Sequence, residues 1–273
     1  MEMISTARYK SYYNKWLNIV DYHDALARAA YLIATSPTPV EHPLMKMNSC
    51  GRSVILAIGS SRGLCGGYNN NVYRIVEVHV RRAKQLGKKL DVLVPEGKLS
   101  TILSYHGIKP AKVYTDFGEM PTDEQLAEVS EQLVGQYMEG KLDNLGVVYM
   151  RFHSVTGQQA QTLTIMPFTE LIEDLATQRR AIWPWELTFD DFLMSPGPGQ
   201  IIEALAKMTI HSSIKRCFMD AALSEHLARM VAMRNATENA QDMIKQLTAD
   251  YNRARQTQIT RELLDIIGGT GVL

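Results

Sequence analysis

The chain has 273 residues, 45% of them hydrophobic, and its 29 Lys+Arg balance its 29 Asp+Glu. That hydrophobic fraction supports a packed core and excludes a disordered chain, and the length allows one large or two small folded units. The charge balance argues against a nucleic-acid binder, which would carry a basic excess, and no stretch approaches the ~18 apolar residues of a transmembrane helix.

Three cysteines, Cys50, Cys65 and Cys217, have no C-x-x-C spacing and read as free thiols in a reducing compartment. No signal peptide is legible. The stretch from Met1 to Arg8 reads as helix interior without a cap, as though the chain starts inside an element. Residues 1–36 are predicted helical. Tyr9, Tyr13, Leu17 and Val20 recur at helical spacing, and Ala27, Ala30 and Ala34 extend a small-residue stripe. Ser36-Pro37-Thr38-Pro39 stops this helix, and residues 37–52 form a linker.

From residue 53 the pattern changes. Ser53 to Ile58 is a short apolar run that suits a buried strand. A glycine-rich loop, Gly59 to Gly67, precedes a helix from about Asn70 to Leu86. Strands follow at 89–94, 111–114, 145–150 and, edge-like, 161–168, with helices at 97–106 and from the cap Thr122 to about Glu139. Strands alternating with helices imply βαβ units, so residues 53–170 are read as an α/β domain with a mainly parallel sheet. Residues 171–199, with Trp183-Pro184-Trp185 and Ser195-Pro196-Gly197-Pro198-Gly199, read as irregular structure.

Residues 200–267 then run for 68 positions without a glycine or a proline. As one helix they would span about 100 Å, which no 273-residue domain can bury along its length. Leu223, Leu227, Met230 and Met233 lead into Ala236, Ala240, Met243, Leu247, Tyr251 and Ala254, a coiled-coil seam expected to hold an intrachain partner through about 254. Beyond it the stripe drifts to Ile259, Leu263 and Ile266. Gly268-Gly269 is expected to end the helix and leave a tail, 268–273.

The glycine-rich loop sits where phosphates bind in Rossmann-type and P-loop folds. It lacks G-K-[ST], and Gly59, Gly63, Gly66 and Gly67 do not give G-x-G-x-x-G. Structural roles for Gly63, Gly66 and Gly67, as positive-φ or close-packing positions of a tight turn, fit better. The seven histidines are scattered, and no catalytic residue, metal ligand or cofactor site is predicted. Arg229, Arg234, Arg253, Arg255 and Arg261 form a charge series, read either as a solvated face or as contacts to acidic partner surfaces.

The segments Arg229-Met230-Val231-Ala232-Met233-Arg234-Asn235-Ala236 and Tyr251-Asn252-Arg253-Ala254-Arg255-Gln256, with Ile259-Thr260 and Glu262-Leu263, resemble the signature of the gamma subunit of F-type ATP synthases. Ser61-Arg62-Gly63-Leu64-Cys65-Gly66-Gly67 resembles the first strand–loop motif of that family, and Met1 to Arg8 the end of its N-terminal helix motif. The resemblance covers the whole chain. It implies an antiparallel coiled coil of the terminal helices around a Rossmann-like domain, acting as a rotating shaft without bond chemistry of its own.

The implied partners are the alpha3-beta3 hexamer, the epsilon subunit and the membrane c-ring, with neither nucleic acid nor direct lipid insertion. The implied location is peripheral, on the cytoplasmic face of a bacterial inner membrane. By the same resemblance Met1, Arg229, Gln256 and Thr260 match positions that contact beta subunits, and charge reversal at Arg229 is expected to weaken coupling and spare the α/β domain. Family members carry roughly twenty residues before the position of Met1, and their absence is expected to leave part of the C-terminal seam without its partner. An aspartate is common where Ser60-Ser61 stands, a departure expected to matter little. The competing reading from the residues alone is a stand-alone α/β nucleotide-binding regulator with coiled-coil arms.

Overall fold

The computed structural model describes residues 1–34, 42–154, 157–177 and 198–270. A first helix, α1 (Glu2–Ala34), leads through a short 3-10 turn at Pro43–Met45 to β1 (Arg52–Ala57). There follow α2 (Tyr68–Gln85), β2 (Lys89–Pro95), α3 (Lys98–Tyr105), β3 (Lys112–Tyr114), α4 (Asp123–Met138), β4 (Asn144–Phe152), β5 (Gln158–Met166) and α5 (Phe168–Thr177). The last element, α6 (Pro198–Thr270), runs for 73 residues.

One five-stranded sheet has the order β3-β2-β1-β4-β5. β1 pairs in parallel with β2 and β4, β2 pairs in parallel with β3, and only the edge strand β5 is antiparallel, on β4. The run Val54 to Ile58 is continuously apolar because both sides of the sheet are covered. Val54, Leu56 and Ile58 face α4, α5 and the base of α6, while Ile55 and Ala57 face α2 and α3. The start of α4 is as the sequence predicts. Thr122 caps it in a reciprocal capping box with Gln125, and Asp123 and Glu124 occupy the first turn.

α1 lies antiparallel against α6. Trp16 meets Asp220, and farther along α1 His23 meets Ser212, nearer the start of α6. The buried face of α1 follows the expected stripe only at Tyr9, Ala27 and Ala30. Tyr13 and Leu17 are exposed, and the inward positions are Tyr12, Trp16, His23, Leu26, Ala27 and Ala30. Hydropathy periodicity misses this face because Trp16 and His23 each bring a polar atom with a partner on α6: the Trp16 indole N–H donates to Asp220, and His23 Nδ1 lies 3.3 Å from Ser212 Oγ.

Three further differences stand out. The segment expected to be irregular opens with α5, an amphipathic helix that buries Leu171, Ile172 and Leu175. Trp183-Pro184-Trp185 lies outside the described residues. Gly268-Gly269 does not end α6, which continues to Thr270; glycine costs a helix about 1 kcal/mol and does not by itself break one. Finally, among the described residues the seam is covered only to about Met233 rather than 254, in line with the expectation that part of it lacks its partner. Leu223 and Leu227 are fully buried, Met233 is half-buried, and every residue from Arg234 to Ile266 is exposed. The first turns of α1 lie beside the 220s and 230 of α6, so the apolar positions beyond have nothing from α1 to cover them.

Candidate functional site

At about 100° per residue, Leu223, Leu227 and Met230 fall within about 60° of one another on α6. They pack with Tyr9, Tyr12 and Trp16 of α1 and with Phe152 of β4. Ala221, Glu225, Arg229 and Ala232 form a second stripe, within about 80°, on the opposite side of the helix. That side carries the β1–α2 loop. Arg229 Nε donates to the carbonyl oxygen of Gly63 at 3.3 Å, and Nη2 to that of Arg62 at 3.2 Å. Arg229 also pairs with Glu225 Oε1 at 2.5 Å. The Ser61 amide donates to Glu225 Oε2 at 3.2 Å and its hydroxyl to Oε1 at 3.4 Å. One helical turn earlier, Tyr68 Oη donates to the Ala221 carbonyl at 3.1 Å.

Between the two stripes, His226 stacks on Tyr12 with ring centroids 5.2 Å apart. Its Nε2 lies 3.8 Å from Glu119 Oε2, on the β3–α4 loop, and the same carboxylate oxygen accepts from Arg8 of α1. On the remaining side, Asp220 takes the Trp16 indole N–H. α6 is thus held on all sides, at the level where its burial ends, by α1, β4 and two loops of the α/β domain.

Burial sets the protonation of this collar. It pushes the Asp220 carboxyl up to about 6, against the pull of Arg216 and the Trp16 hydrogen bond. It also raises Glu225, although the Arg229 guanidinium and the Ser61 amide pull the other way. His226 is depressed to about 4 by burial, so it stands neutral beside Glu119.

The glycine-rich loop is shaped differently from the expectation. Of Gly63, Gly66 and Gly67, only Gly66 has a positive φ, +58°; the other left-handed residue of the loop is Leu64, at 64°. Gly63 and Gly67 have room for a side chain. Close packing falls on Gly59 and Gly97 instead, where an added Cβ would come within 2.2 Å of Leu99 Cβ and 2.4 Å of the Ser60 carbonyl oxygen. The loop is held from within by Asn69, whose side chain accepts from the Ser60 amide and donates to its hydroxyl. The serine at 61 matters more than its sequence context suggests, because it gives Glu225 two donors.

The residues expected to contact partners do not come together. Arg229 is buried and fully engaged within the chain. Gln256 and Thr260 are exposed on the bare end of α6, about 40 Å farther along the helix, where the Thr260 hydroxyl bonds back to the Gln256 carbonyl. Met1 is 75% exposed. Charge reversal at Arg229 would therefore set a second carboxylate against Glu225 and strip the loop carbonyls of their donor, so it cannot spare the domain as expected. Sequence reading overlooks Glu225, Glu119 and Asp220. Only the i, i+4 spacing of Glu225 and Arg229 was available as a signal. Among the described residues no cluster of His, Cys, Asp or Glu could hold a metal ion, and no helix is long and apolar enough to cross a membrane.

The family model described as ATP synthase matches residues 1–273. The chain is 33% identical to the ATP synthase gamma chain of Rhodopirellula baltica, with 100% of this chain and 92% of the relative covered, and 30% identical to that of Bdellovibrio bacteriovorus with the same coverage. Among solved structures, a chain of the Euglena gracilis mitochondrial ATP synthase (OSCP/F1/c-ring) superposes with a TM-score of 0.57 at 18% identity, covering 97% of this chain and 94% of that one. A chain of the Tetrahymena thermophila mitochondrial ATP synthase central stalk and c-ring gives 0.54 at 17% identity, covering 87% and 97%. The family model over residues 1–273 and gamma chains 30–33% identical along the whole chain place the protein in the ATP synthase gamma chain family.

Proposed function

We propose that the chain is the central rotating shaft of an F-type ATP synthase. It couples ion-driven rotation of the membrane c-ring to conformational cycling of three catalytic beta subunits, and it performs no bond chemistry itself. The observation that carries this is the bare end of α6. From Arg234 to Thr270 the helix projects about 55 Å, and Met243, Leu247 and Tyr251 are each about two-thirds exposed. An apolar stripe of that length needs covering surfaces beyond those the described residues supply. An alpha3-beta3 ring supplies them.

Three identical sites around one asymmetric rod each meet a different face of it. A partner shifts a conformational equilibrium only by its differential interaction with the two states. Driving a site from strongly closed to strongly open takes ~5.5 kcal/mol of such bias. Rotation changes which face each site sees, so tight nucleotide binding becomes release. Gln256 and Thr260, exposed near the tip, and Met1 at the start of α1 act as contact residues to the beta subunits. The guanidinium of Arg229 is occupied by Glu225 and the loop carbonyls, so its part in coupling is indirect. The α/β domain meets the epsilon subunit and the c-ring, which makes the chain peripheral to the cytoplasmic face of a bacterial inner membrane.

The nucleotide-binding alternative meets a specific obstacle. The Ser61 amide, which a phosphate would need, is spent on the Glu225 carboxylate. Reconstitution with alpha and beta subunits is the test. The full chain should co-purify with the hexamer and turn during ATP hydrolysis. A chain stopped after Arg234 should keep the thermal midpoint of the α/β domain and lose coupled rotation altogether. Calorimetric ATP binding by the isolated chain, together with failure to join the hexamer, would overturn the reading.

A further inference from the structure

Every torque applied to the bare end of α6 must enter the α/β domain through the last turns that the domain still holds. Those turns, from Asp220 to Ala232, are the collar. We propose that this collar is the torque-bearing junction of the chain, with Glu225 and Glu119 as positioning residues that fix the rotational setting of α6 relative to the α/β domain. The inference rests on the shaft reading above.

Leu223, Leu227 and Met230 touch α1 and Phe152 on one side only. Apolar contact is non-directional, so a seam of that kind turns the stripe inward but sets the angle about the helix axis less sharply than a directional bond. The polar contacts are directional and lie elsewhere round the circumference. Glu225 and Arg229 grip Ser61, Arg62 and Gly63 on the side opposite the seam. His226 and Glu119 tie a third side to the β3–α4 loop and, through Arg8, to α1. A rotation of α6 therefore pulls on the charge-assisted Glu225–Arg229–loop bonds on one side and displaces His226 from its 3.8 Å contact with Glu119 on another, each anchored in a different element. The Glu225–Arg229 pair is nearly enclosed, with side-chain exposures of 7% and 11%. Buried ion pairs seldom add stability over an apolar pair of the same volume. Their presence here is explained by angular specificity, which apolar side chains provide less sharply.

The complex is assembled with the hexamer fixed to a surface, so that the ring holds the tip, and a bead is attached to the α/β domain through Cys50, the exposed cysteine. The angular variance of the bead in a nucleotide dwell reads the torsional compliance of the shaft. Charge-assisted hydrogen bonds are roughly twice as strong as neutral ones, so Glu225→Gln should raise that variance about twofold. Glu119→Gln should raise it in the same direction. Leu227→Ala, which loosens the seam, is the control: it should lower the unfolding midpoint more than either and widen the variance less.

Unchanged variance in both glutamine variants overturns the proposal, and so does an equal widening in Leu227→Ala. Should Glu225→Gln fail to fold, Glu119→Gln decides the matter, because Glu119 lies on a loop and is 22% exposed. If the wild-type chain does not join the hexamer, the shaft reading falls and this inference with it; assembly with unaltered compliance removes this inference alone.

Discussion

The two halves of α6 are one unbroken helix and differ in almost everything else. From Ile210 to Met230 its apolar side chains are covered by α1, by β4 and by the core beneath the sheet, and the charges of Glu225 and Arg229 are spent on a loop of the same chain. From Arg234 onward the same types of residue, Met243, Leu247, Tyr251 and Leu263, stand in the open, and its ion pairs, Arg234–Glu238 and Lys245–Asp242, are local and exposed. Helices of this length draw little stability from propensity and much from packing. The first half is therefore fixed by its own domain, whereas the second depends on what surrounds it. A shaft needs both: a base that cannot slip, and a free end whose faces remain available to other chains.

Stability mutants offer the sharpest break of this comparison. Leu227→Ala, at a fully buried position, should cost the isolated chain about 2–5 kcal/mol in urea unfolding. Leu247→Ala, 66% exposed, should stay within about 0.5 kcal/mol. In the assembled complex Leu247→Ala should instead weaken retention on the hexamer. A comparable loss from both in the isolated chain would mean that the bare half has a partner within the chain.

Next in size is the carboxyl of Asp220. Its folded pKa, about 6, lies above the ordinary 3.8, so its stabilising effect is complete below 3.8 and is lost as pH rises through about 6. Asp220→Asn removes that loss. The variant should therefore be more stable than the wild type at pH 8 by up to about 3 kcal/mol, with the gain roughly halved at pH 5. An advantage that grows toward acid would contradict the assignment.

An effect of comparable size and opposite sign concerns His226. Its folded pKa, about 4, lies below the ordinary 6.5; its contribution is present above 6.5 and is lost as pH falls through about 4. Between pH 4 and 6 the two groups oppose each other. Urea midpoints in Asp220→Asn should fall more steeply with acid than in the wild type, and those in His226→Gln less steeply.

Much of this architecture is legible in single residues. The strand Val54–Ile58 is apolar at every position, which requires cover on both sides, and the sheet supplies it. Thr122 with Gln125 announces the start of α4 to the residue. The site was less legible. Trp16 and His23 weaken the apolar period of α1 while forming its inner face, because a polar atom with a partner is as much at home there as a leucine. Glu225 and Arg229 look like one more exposed i, i+4 pair until the loop 61–63 is laid against them.

The amino-acid sequence by itself determined that a long helix, free of glycine and proline for 68 residues, leaves an alternating α/β domain. Local propensity and periodicity are properties of neighbouring residues, and the chain carries them openly. Only the tertiary structure decided where along that helix the chain's own cover stops, and which charges bind inward. Period tells which residues share a face, whereas the partner for that face, and the distant Glu119 or Ser61 that completes an ion pair, is chosen by how elements far apart in the chain pack.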